Sequence, residues 1–262
     1  MRKSLGLLVA NVVGYIGMLV VNGLANAIPI GGRTTGEISE YYPSYFTPAG
    51  FTFGIWGLIY VGLGLFVGWQ LFEFFREGRL SRETKAIGWL FLFTCILNST
   101  WIVAWHYLLI PLSLLIMFML LCTLGLIYRK VHFFPQHPPV KPVYRVPFSL
   151  YTGWITAAFL ANVTVFLIHL GFDAQSVLGV LWASFLVLIA LTAGMAGLVA
   201  ARDPVYAGVI FWTLGGIIAA RIPDGRMAYP VIAIAGIGMA MLVFSFLRMK
   251  AAGRGGKGGE GA

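Results

Sequence analysis

Long uncharged apolar stretches follow one another along the chain and are separated by short polar or proline-rich segments. Eight stretches have, or nearly have, the length of a membrane-spanning helix: 5–27, 51–75, 86–109, 111–129, 147–170, 176–201, 205–220 and 228–248. A hydrocarbon core about 30 Å thick needs roughly 20 apolar residues per helix. The apolar runs are continuous, whereas the strands of a membrane β-barrel alternate over about ten residues. The pattern therefore predicts an all-α, polytopic membrane protein with about eight transmembrane helices.

The composition agrees with a membrane location, and the distribution of charge predicts the orientation. Hydrophobic residues make up 59% of the chain and charged residues 10%, with a mean hydropathy of +0.87. With eight spans and the N-terminus inside, only Arg33, Arg221 and Arg226 of the 18 Lys and Arg residues fall on outer segments. This positive-inside bias predicts that both termini face the cytoplasm, and we expect a bacterial or archaeal cytoplasmic membrane. No basic patch is interleaved with exposed aromatic residues, which argues against nucleic-acid binding despite the net charge of +9.

The N-terminus allows two interpretations. Met1-Arg2-Lys3 and the apolar run that ends in Ala25-Asn26-Ala27 are typical of a signal peptide with a small-residue cleavage site. The apolar run is long for a signal peptide, however, and Asn11 and Asn22 interrupt it. We therefore expect a retained first helix; cleavage would leave seven spans.

Aromatic and amide side chains share one face of the second, third and fifth predicted helices. In the second helix we expect Thr47 as the N-cap and Pro48 at the first helical position. Residues spaced by three or four lie on one helix face. By this rule the three faces carry Phe53, Trp56 and Tyr60; Asn98, Trp101 and Trp105; and Tyr151, Trp154 and Asn162.

These three faces could line one buried ligand site. Aromatic rings would stack on a flat apolar ligand, and the amides would hold its polar edge. The alternative is that the same side chains only pack the three helices together.

Asp, Glu, Lys and Arg do not occur near the middle of any predicted span, which argues against an ion-coupled transporter. His106 and His169 lie at outer helix ends, and His132 and His137 lie in an inner loop, so we expect no metal site. No acid–base pair or nucleophile has an evident partner, and we assign no catalytic residue.

The first outer loop, residues 28–50, is long for a connection between helices. It carries an aromatic patch beside a proline, formed by Tyr41, Tyr42, Tyr45, Phe46 and Pro48. These residues could form a lid over the site, or the rings could anchor the loop at the lipid–water interface. The sequence leaves both alternatives open.

The last three predicted helices, within residues 171–250, form a plainer segment. Small residues that permit close helix packing recur in them, namely Ala193, Gly194, Ala196, Gly197, Gly236 and Gly238. The Gly-rich tail, residues 251–262, is expected to be disordered. The predicted division is thus a bundle over 1–170, three further helices over 171–250, and the tail.

Three of these motifs resemble those of the TspO/MBR family, whose members are called translocator proteins or tryptophan-rich sensory proteins. They are Trp56-Gly57-x-x-Tyr60 after a Pro-containing turn, Asn98-x-x-Trp101, and Tyr151-x-x-Trp154 followed by Asn162. They occur in the family's order, over roughly residues 5–170. The resemblance implies a five-helix bundle whose first loop closes a pocket for tetrapyrroles such as protoporphyrin, or for sterols. It also implies a role in stress or light-linked sensing and frequent homodimers.

The chain departs from that family in two respects. It has about three extra helices after residue 170, and its turn contains one proline, in Pro48-Ala49-Gly50. We therefore predict a membrane protein that contacts lipids and binds a small hydrophobic ligand as a sensor or translocator. It requires no cofactor, although a porphyrin or other tetrapyrrole could be bound. The alternatives are a passive channel for a neutral solute and, less favoured, a porphyrin- or lipid-modifying enzyme.

Overall fold

The computed structural model describes residues 2–28, 32–133 and 140–255, and these residues form α-helices without any β-strand. The helices are α1 (Arg2–Ala27), α2 (Thr35–Tyr41), α3 (Ile55–Glu77), α4 (Arg82–Ile87), α5 (Leu90–His106), α6 (Ile110–His132), α7 (Pro142–His169), α8 (Val177–Val199), α9 (Pro204–Arg221) and α10 (Tyr229–Gly255). Short 3-10 turns precede α3 at Gly50–Gly54 and α10 at Ile222–Ala228. The chain divides into an N-terminal unit, Met1–Pro43 with Phe53–Phe172, and a C-terminal unit, Ser44–Thr52 with Asp173–Ala262.

The prediction of a polytopic helical membrane protein is confirmed. Six helical segments of the described chain are long and apolar enough to cross a membrane, and the last of them, Pro204–Ala252, contains α9 and most of α10. Helix α5 is apolar but has only 17 residues, which is short for a perpendicular crossing. The number of crossings and the orientation of the termini stay predictions.

The five long helices of the N-terminal unit form a closed ring. Helix α1 packs against α3 and α5, α5 packs against α6, α6 packs against α7, and α7 returns to α3. This is the five-helix bundle that was expected at the N-terminal side of the protein.

Polar side chains on one face of α1 tie it into the ring. The Asn11 amide donates to Gln70 Oε1 of α3 at 2.9 Å, and the Tyr15 hydroxyl donates to the Tyr60 carbonyl at 2.8 Å. About two turns further on, the Asn22 amide donates to Asn98 of α5 at 2.6 Å. In hydrocarbon no water can satisfy such groups, so these bonds fix the face that α1 turns inward.

Two glycines of α3 allow neighbouring helices to approach. A Cβ atom at Gly64 would lie 2.6 Å from the Tyr15 hydroxyl, and one at Gly62 would lie 3.4 Å from Pro147 Cβ. Next to this contact the rings of Phe66, Phe91 and Phe148 pack edge to face, with Phe66 5.0 Å from each of the other two. Close backbone approach and aromatic packing thus hold α3 between α1 and α7.

The predicted start of the second membrane helix is wrong. Helix α3 begins at Ile55, whereas Thr47 lies in a turn where its hydroxyl and that of Ser44 are 2.9 Å apart. Pro48 follows in an irregular segment before the 3-10 turn. The Thr47 hydroxyl bonds back to Ser44 and therefore does not cap a helix.

Two other predicted boundaries also differ from the structure. The predicted third span, 86–109, is interrupted at Gly88, whose φ of 57° breaks the chain into α4 and α5. The predicted fifth span starts at Pro147, but α7 starts five residues earlier. Pro142 occupies the first turn, where a proline is tolerated, and Pro147 lies inside α7. His137 and the residues around it in the inner loop, 134–139, lie outside the described residues.

In the C-terminal unit α8, α9 and α10 pack against one another. A Cβ atom at Gly197 of α8 would lie 2.7 Å from the Tyr206 ring of α9, and one at Gly238 of α10 would lie 3.0 Å from Leu191 of α8. The prediction that small residues permit close packing here is confirmed at these positions.

The structure differs from the predicted division of the chain in one loop segment. Ser44–Thr52 groups with the C-terminal helices and not with the bundle. Within that unit the Ala49 N–H donates to the Gly216 carbonyl at 3.0 Å, and the Trp212 indole donates to the Thr52 carbonyl at 3.0 Å. Helix α10 continues to Gly255, so the predicted tail begins in helix, and its remainder, 256–262, lies outside the described residues.

Replacement of Gly197 by Ala tests the close packing of α8 on α9. The added methyl group would overlap the Tyr206 ring, so we expect Gly197→Ala to lower the free energy of unfolding by about 1–3 kcal/mol. The matched control is Gly236→Ala, because a Cβ at Gly236 meets no atom within 4 Å. The control should be neutral or stabilising by up to about 1 kcal/mol, since alanine favours helix. Equal unfolding midpoints for both variants in detergent would contradict this packing.

Candidate ligand-binding site

Aromatic side chains of α3 and α7 meet in one cluster within the N-terminal unit. The Trp154 ring packs edge to face with Phe53 and with Trp56, at centroid distances of 5.6 and 6.2 Å. Trp56 also meets Tyr151 at 6.0 Å and stacks on Tyr60 of its own helix at 5.5 Å. The spacing of three and four residues places these rings on one side of each helix, as predicted. The structure thus brings together five of the nine predicted site residues.

Asn98 of α5 joins this cluster from a third helix. Its side chain is fully buried and lies beside the Tyr151 hydroxyl. On its other side, Asn98 Oδ1 accepts a hydrogen bond from Asn22 of α1. Asn22 is a neighbour of the site that the sequence analysis missed, although an asparagine inside an apolar run was a visible signal.

Three buried polar atoms of the cluster have no hydrogen-bond partner among the described residues. They are the Asn98 amide nitrogen, the Tyr151 hydroxyl and the Trp154 indole nitrogen. Asn98 and Tyr151 are neighbours, but no hydrogen bond of good geometry joins them. Since buried polar groups are rarely left unpaired, three such atoms beside one aromatic cluster mark a place where a ligand or water could bind.

The other three predicted residues form a second group. The Trp101 and Trp105 rings of α5 stack at 5.7 Å, and the Trp101 indole donates to Asn162 Oδ1 of α7 at 3.4 Å. Asn162 Oδ1 also accepts from Ser113 of α6 at 2.9 Å, and its amide nitrogen donates to the Ala158 carbonyl at 3.1 Å. Asn162 therefore links three helices and differs from Asn98, whose amide nitrogen stays unpaired.

Helix α2 in the first outer loop packs on the second group. The Trp105 indole donates to the Thr35 carbonyl at 3.2 Å, and Ile38 is buried. A capping box formed by Thr34 and Glu37 begins α2. The Thr34 backbone N–H and hydroxyl donate to the Glu37 carboxylate and hold its pKa below its ordinary value. This cap is present at neutral pH and is lost when acid protonates Glu37.

The five residues predicted to form a lid are divided between the two units of the chain. Tyr41 and Tyr42 belong to the N-terminal unit, and their rings pack edge to face. Tyr41 is 58% exposed, and the Arg33 guanidinium lies 4.9 Å from its ring centroid. The other three lid residues, Tyr45, Phe46 and Pro48, belong to the C-terminal unit. The exposed Tyr41 ring suits an interfacial anchor as well as a lid, and both alternatives stay open for this pair.

Two of the lid residues in the C-terminal unit, Tyr45 and Phe46, are buried. The Tyr45 hydroxyl donates to the Gln175 carbonyl at 3.4 Å, and the Arg221 guanidinium lies 5.7 Å from the Tyr45 ring centroid. These contacts of Tyr45 lie within the C-terminal unit, and the lid stays a prediction.

The closed ring of helices and the aromatic cluster with its unpaired donors define a multi-pass membrane protein with an internal candidate binding site. The chain matches the sequence profile described as "TSPO-like protein" over residues 8–248 and belongs to that family. No curated protein matches the chain, and no solved structure matches it either. The family match continues through α8, α9 and most of α10, so the three helices after residue 170 lie within the matched stretch.

The Trp105 hydrogen bond to α2 generates a testable prediction. Trp105→Phe removes the indole donor and keeps an aromatic ring, so the loss of about 1 kcal/mol should speed amide exchange in residues 35–41 roughly fivefold. Trp101→Phe is the matched control, because its indole bonds to Asn162 and not to α2. Hydrogen–deuterium exchange read by mass spectrometry measures both variants. Equal exchange of residues 35–41 in the two variants would show that the bond does not hold α2.

Proposed function

We propose that this protein binds a flat hydrophobic ligand between α3, α5 and α7, and that a tetrapyrrole such as protoporphyrin is a member of that ligand class. The observation that carries the proposal is the set of three unpaired buried donors beside the aromatic cluster. Rings supply apolar contact, and oxygen atoms on the edge of a ligand would accept from Asn98, Tyr151 and Trp154. Sterols and other flat apolar molecules with an oxygen-bearing edge meet the same requirements.

The burial of the rings suggests which helix adjusts when a ligand binds. Tyr151 and Trp154 of α7 are buried, whereas Trp56 and Tyr60 of α3, and Phe53 in the 3-10 turn before it, are half-buried. A ligand that enters must replace ring–ring contacts, and the half-buried α3 rings have fewer contacts to lose. We expect α7 and Asn98 to form the fixed wall and the α3 rings to move.

A sensor or a translocator is the role that accords with membership of the TSPO-like family. We also propose that the protein works as a homodimer in a bacterial or archaeal cytoplasmic membrane. The positive-inside charge pattern and the resemblance to TspO/MBR proteins support these parts of the proposal.

Porphyrin titration of the purified protein tests the site. We expect a Trp56→Ala, Trp154→Ala double variant to bind protoporphyrin at least tenfold more weakly, because each lost aromatic contact contributes about 0.5–1.5 kcal/mol. The control is Trp89→Ala, since Trp89 is 60% exposed and lies about 13 Å along α5 from Asn98. The porphyrin absorbance band should be followed together with tryptophan fluorescence, because six of the eight tryptophans remain in the double variant. Unchanged affinity would exclude this site.

A conservative variant separates ligand binding from packing. Tyr151→Phe removes a buried hydroxyl that has no partner, so the ligand-free protein should keep its stability. Porphyrin affinity should nevertheless fall, because one donor to the ligand is lost. A variant that loses stability without losing affinity would favour the alternative that these side chains only pack the helices.

A passive path for a small neutral solute is the second candidate function. Unpaired buried polar atoms also occur at Asn11 Oδ1 and Gln70 Nε2, where α1 meets α3. Gln70 lies about 15 Å along α3 from Tyr60. In proteoliposomes this function predicts a weakly saturating flux that an Asn11→Leu, Gln70→Leu double variant lowers while porphyrin affinity is unchanged. Absence of flux in the wild-type protein would leave ligand binding as the function.

A further inference from the structure

An apolar groove lies in the C-terminal unit beside the turn that joins α8 to α9. It encloses about 250 Å³ and is lined by apolar residues of α8, α9 and α10, among them Leu198, Gly208, Phe211, Leu242, Val243 and Phe246. Phe211 and Val243 are 36% and 44% exposed, so the groove is open along its length. Polar side chains are missing from this lining, and only an apolar occupant suits the groove.

A glycine creates the space in the groove. A Cβ atom built at Gly208 meets no atom within 4 Å, in contrast with Gly194 and Gly197 of α8, whose Cβ atoms would collide with α9. Along α9 the lining extends from Pro204 to Phe211, a distance of about 10 Å. The groove therefore has the narrow, elongated form that accepts part of an acyl chain.

Positive charge surrounds the end of the groove at the α8–α9 turn. Arg202 lies in that turn, and the last turns of α10 carry Lys250. The Lys250 ammonium lies 4.9 Å from the ring centroid of Phe246, which lines the groove. The Arg248 guanidinium lies over Phe244, which does not line the groove. The neighbouring acid, Asp203, accepts from the N–H groups of Val205 and Tyr206 at the start of α9. This end of the groove thus presents two cations and one carboxylate that caps a helix.

We propose that the groove is a binding site for one anionic phospholipid. One acyl chain lies against Gly208 and Phe211, and the phosphate lies between Arg202 and Lys250. Charge complementarity selects the headgroup, because basic residues next to a membrane helix attract anionic lipids. The site belongs to the C-terminal unit alone and does not depend on the ligand proposed for the N-terminal bundle.

Native mass spectrometry with competing lipids tests the proposal. The full chain is mixed with equal amounts of phosphatidylglycerol and phosphatidylcholine that carry identical acyl chains. We expect the wild-type protein to retain phosphatidylglycerol at least fivefold more often. The Arg202→Gln, Lys250→Gln double variant should lose this preference. A matched Arg76→Gln, Lys85→Gln double variant, which removes the same charge from the N-terminal unit, should keep it.

A second pair of variants tests the acyl-chain part of the site. Gly208→Leu places a side chain in the groove at a position where its Cβ meets no atom within 4 Å. It should reduce retention of both lipids at least fivefold, whereas Gly236→Leu, at a glycine of α10 outside the lining, should not. A phosphatidylglycerol with a photoactivatable acyl chain should label residues 204–211 and 242–246. Equal retention of the two lipids by the wild-type protein, or unchanged retention in Gly208→Leu, would overturn the proposal. Binding of a second copy of the chain in the groove would also overturn the proposal. It would be seen as a doubled mass in the wild-type protein that is absent in Gly208→Leu.

Discussion

Polar groups inside hydrocarbon must find their partners within the protein, and this requirement organises the N-terminal bundle. Asn11, Tyr15 and Asn22 lie on one face of α1 and bond to α3 and α5. The apolar residues around α1 are equally compatible with lipid and with protein, so they do not orient the helix. The amides and the tyrosine hydroxyl do orient it, because turning them toward lipid would break their hydrogen bonds to α3 and α5. The ring of five helices closes around these bonds.

The candidate site arises where this pairing is incomplete. Asn98 contributes its oxygen to Asn22 but keeps an unpaired nitrogen, and the neighbouring Tyr151 and Trp154 also keep unpaired donors. A few turns away Asn162 is bonded at both ends of its amide to Trp101, Ser113 and its own helix. The two asparagines look alike in the sequence. One stabilises the fold, whereas the other keeps hydrogen-bonding capacity beside an aromatic cluster, which is what a ligand site needs.

The C-terminal unit is built on a different principle. Helices α8 and α10 carry glycines at contact positions, namely Gly194, Gly197 and Gly238, where a Cβ would press on a side chain of a neighbouring helix. The segment Ser44–Thr52 completes this unit through backbone and indole hydrogen bonds to α9. Packing is dense where a glycine meets a large side chain, as at Gly197 and Tyr206. It is open where a glycine meets nothing, as at Gly208, and the apolar groove results.

The sequence by itself determined the membrane class, the helical bundle, its family and the aromatic faces. Hydropathy over about 20 residues and a spacing of three or four residues are local properties, and they can be read without knowing what surrounds each helix. The tertiary structure decided which donors remain unpaired, that α1 borders the site, and that the loop after Pro43 packs with the last three helices. It also moved the start of α3 from Thr47 to Ile55, because Thr47 bonds to Ser44. These features depend on partners far away in the chain, such as Asn22 with Asn98 and Thr52 with Trp212, and no local pattern specifies such pairs.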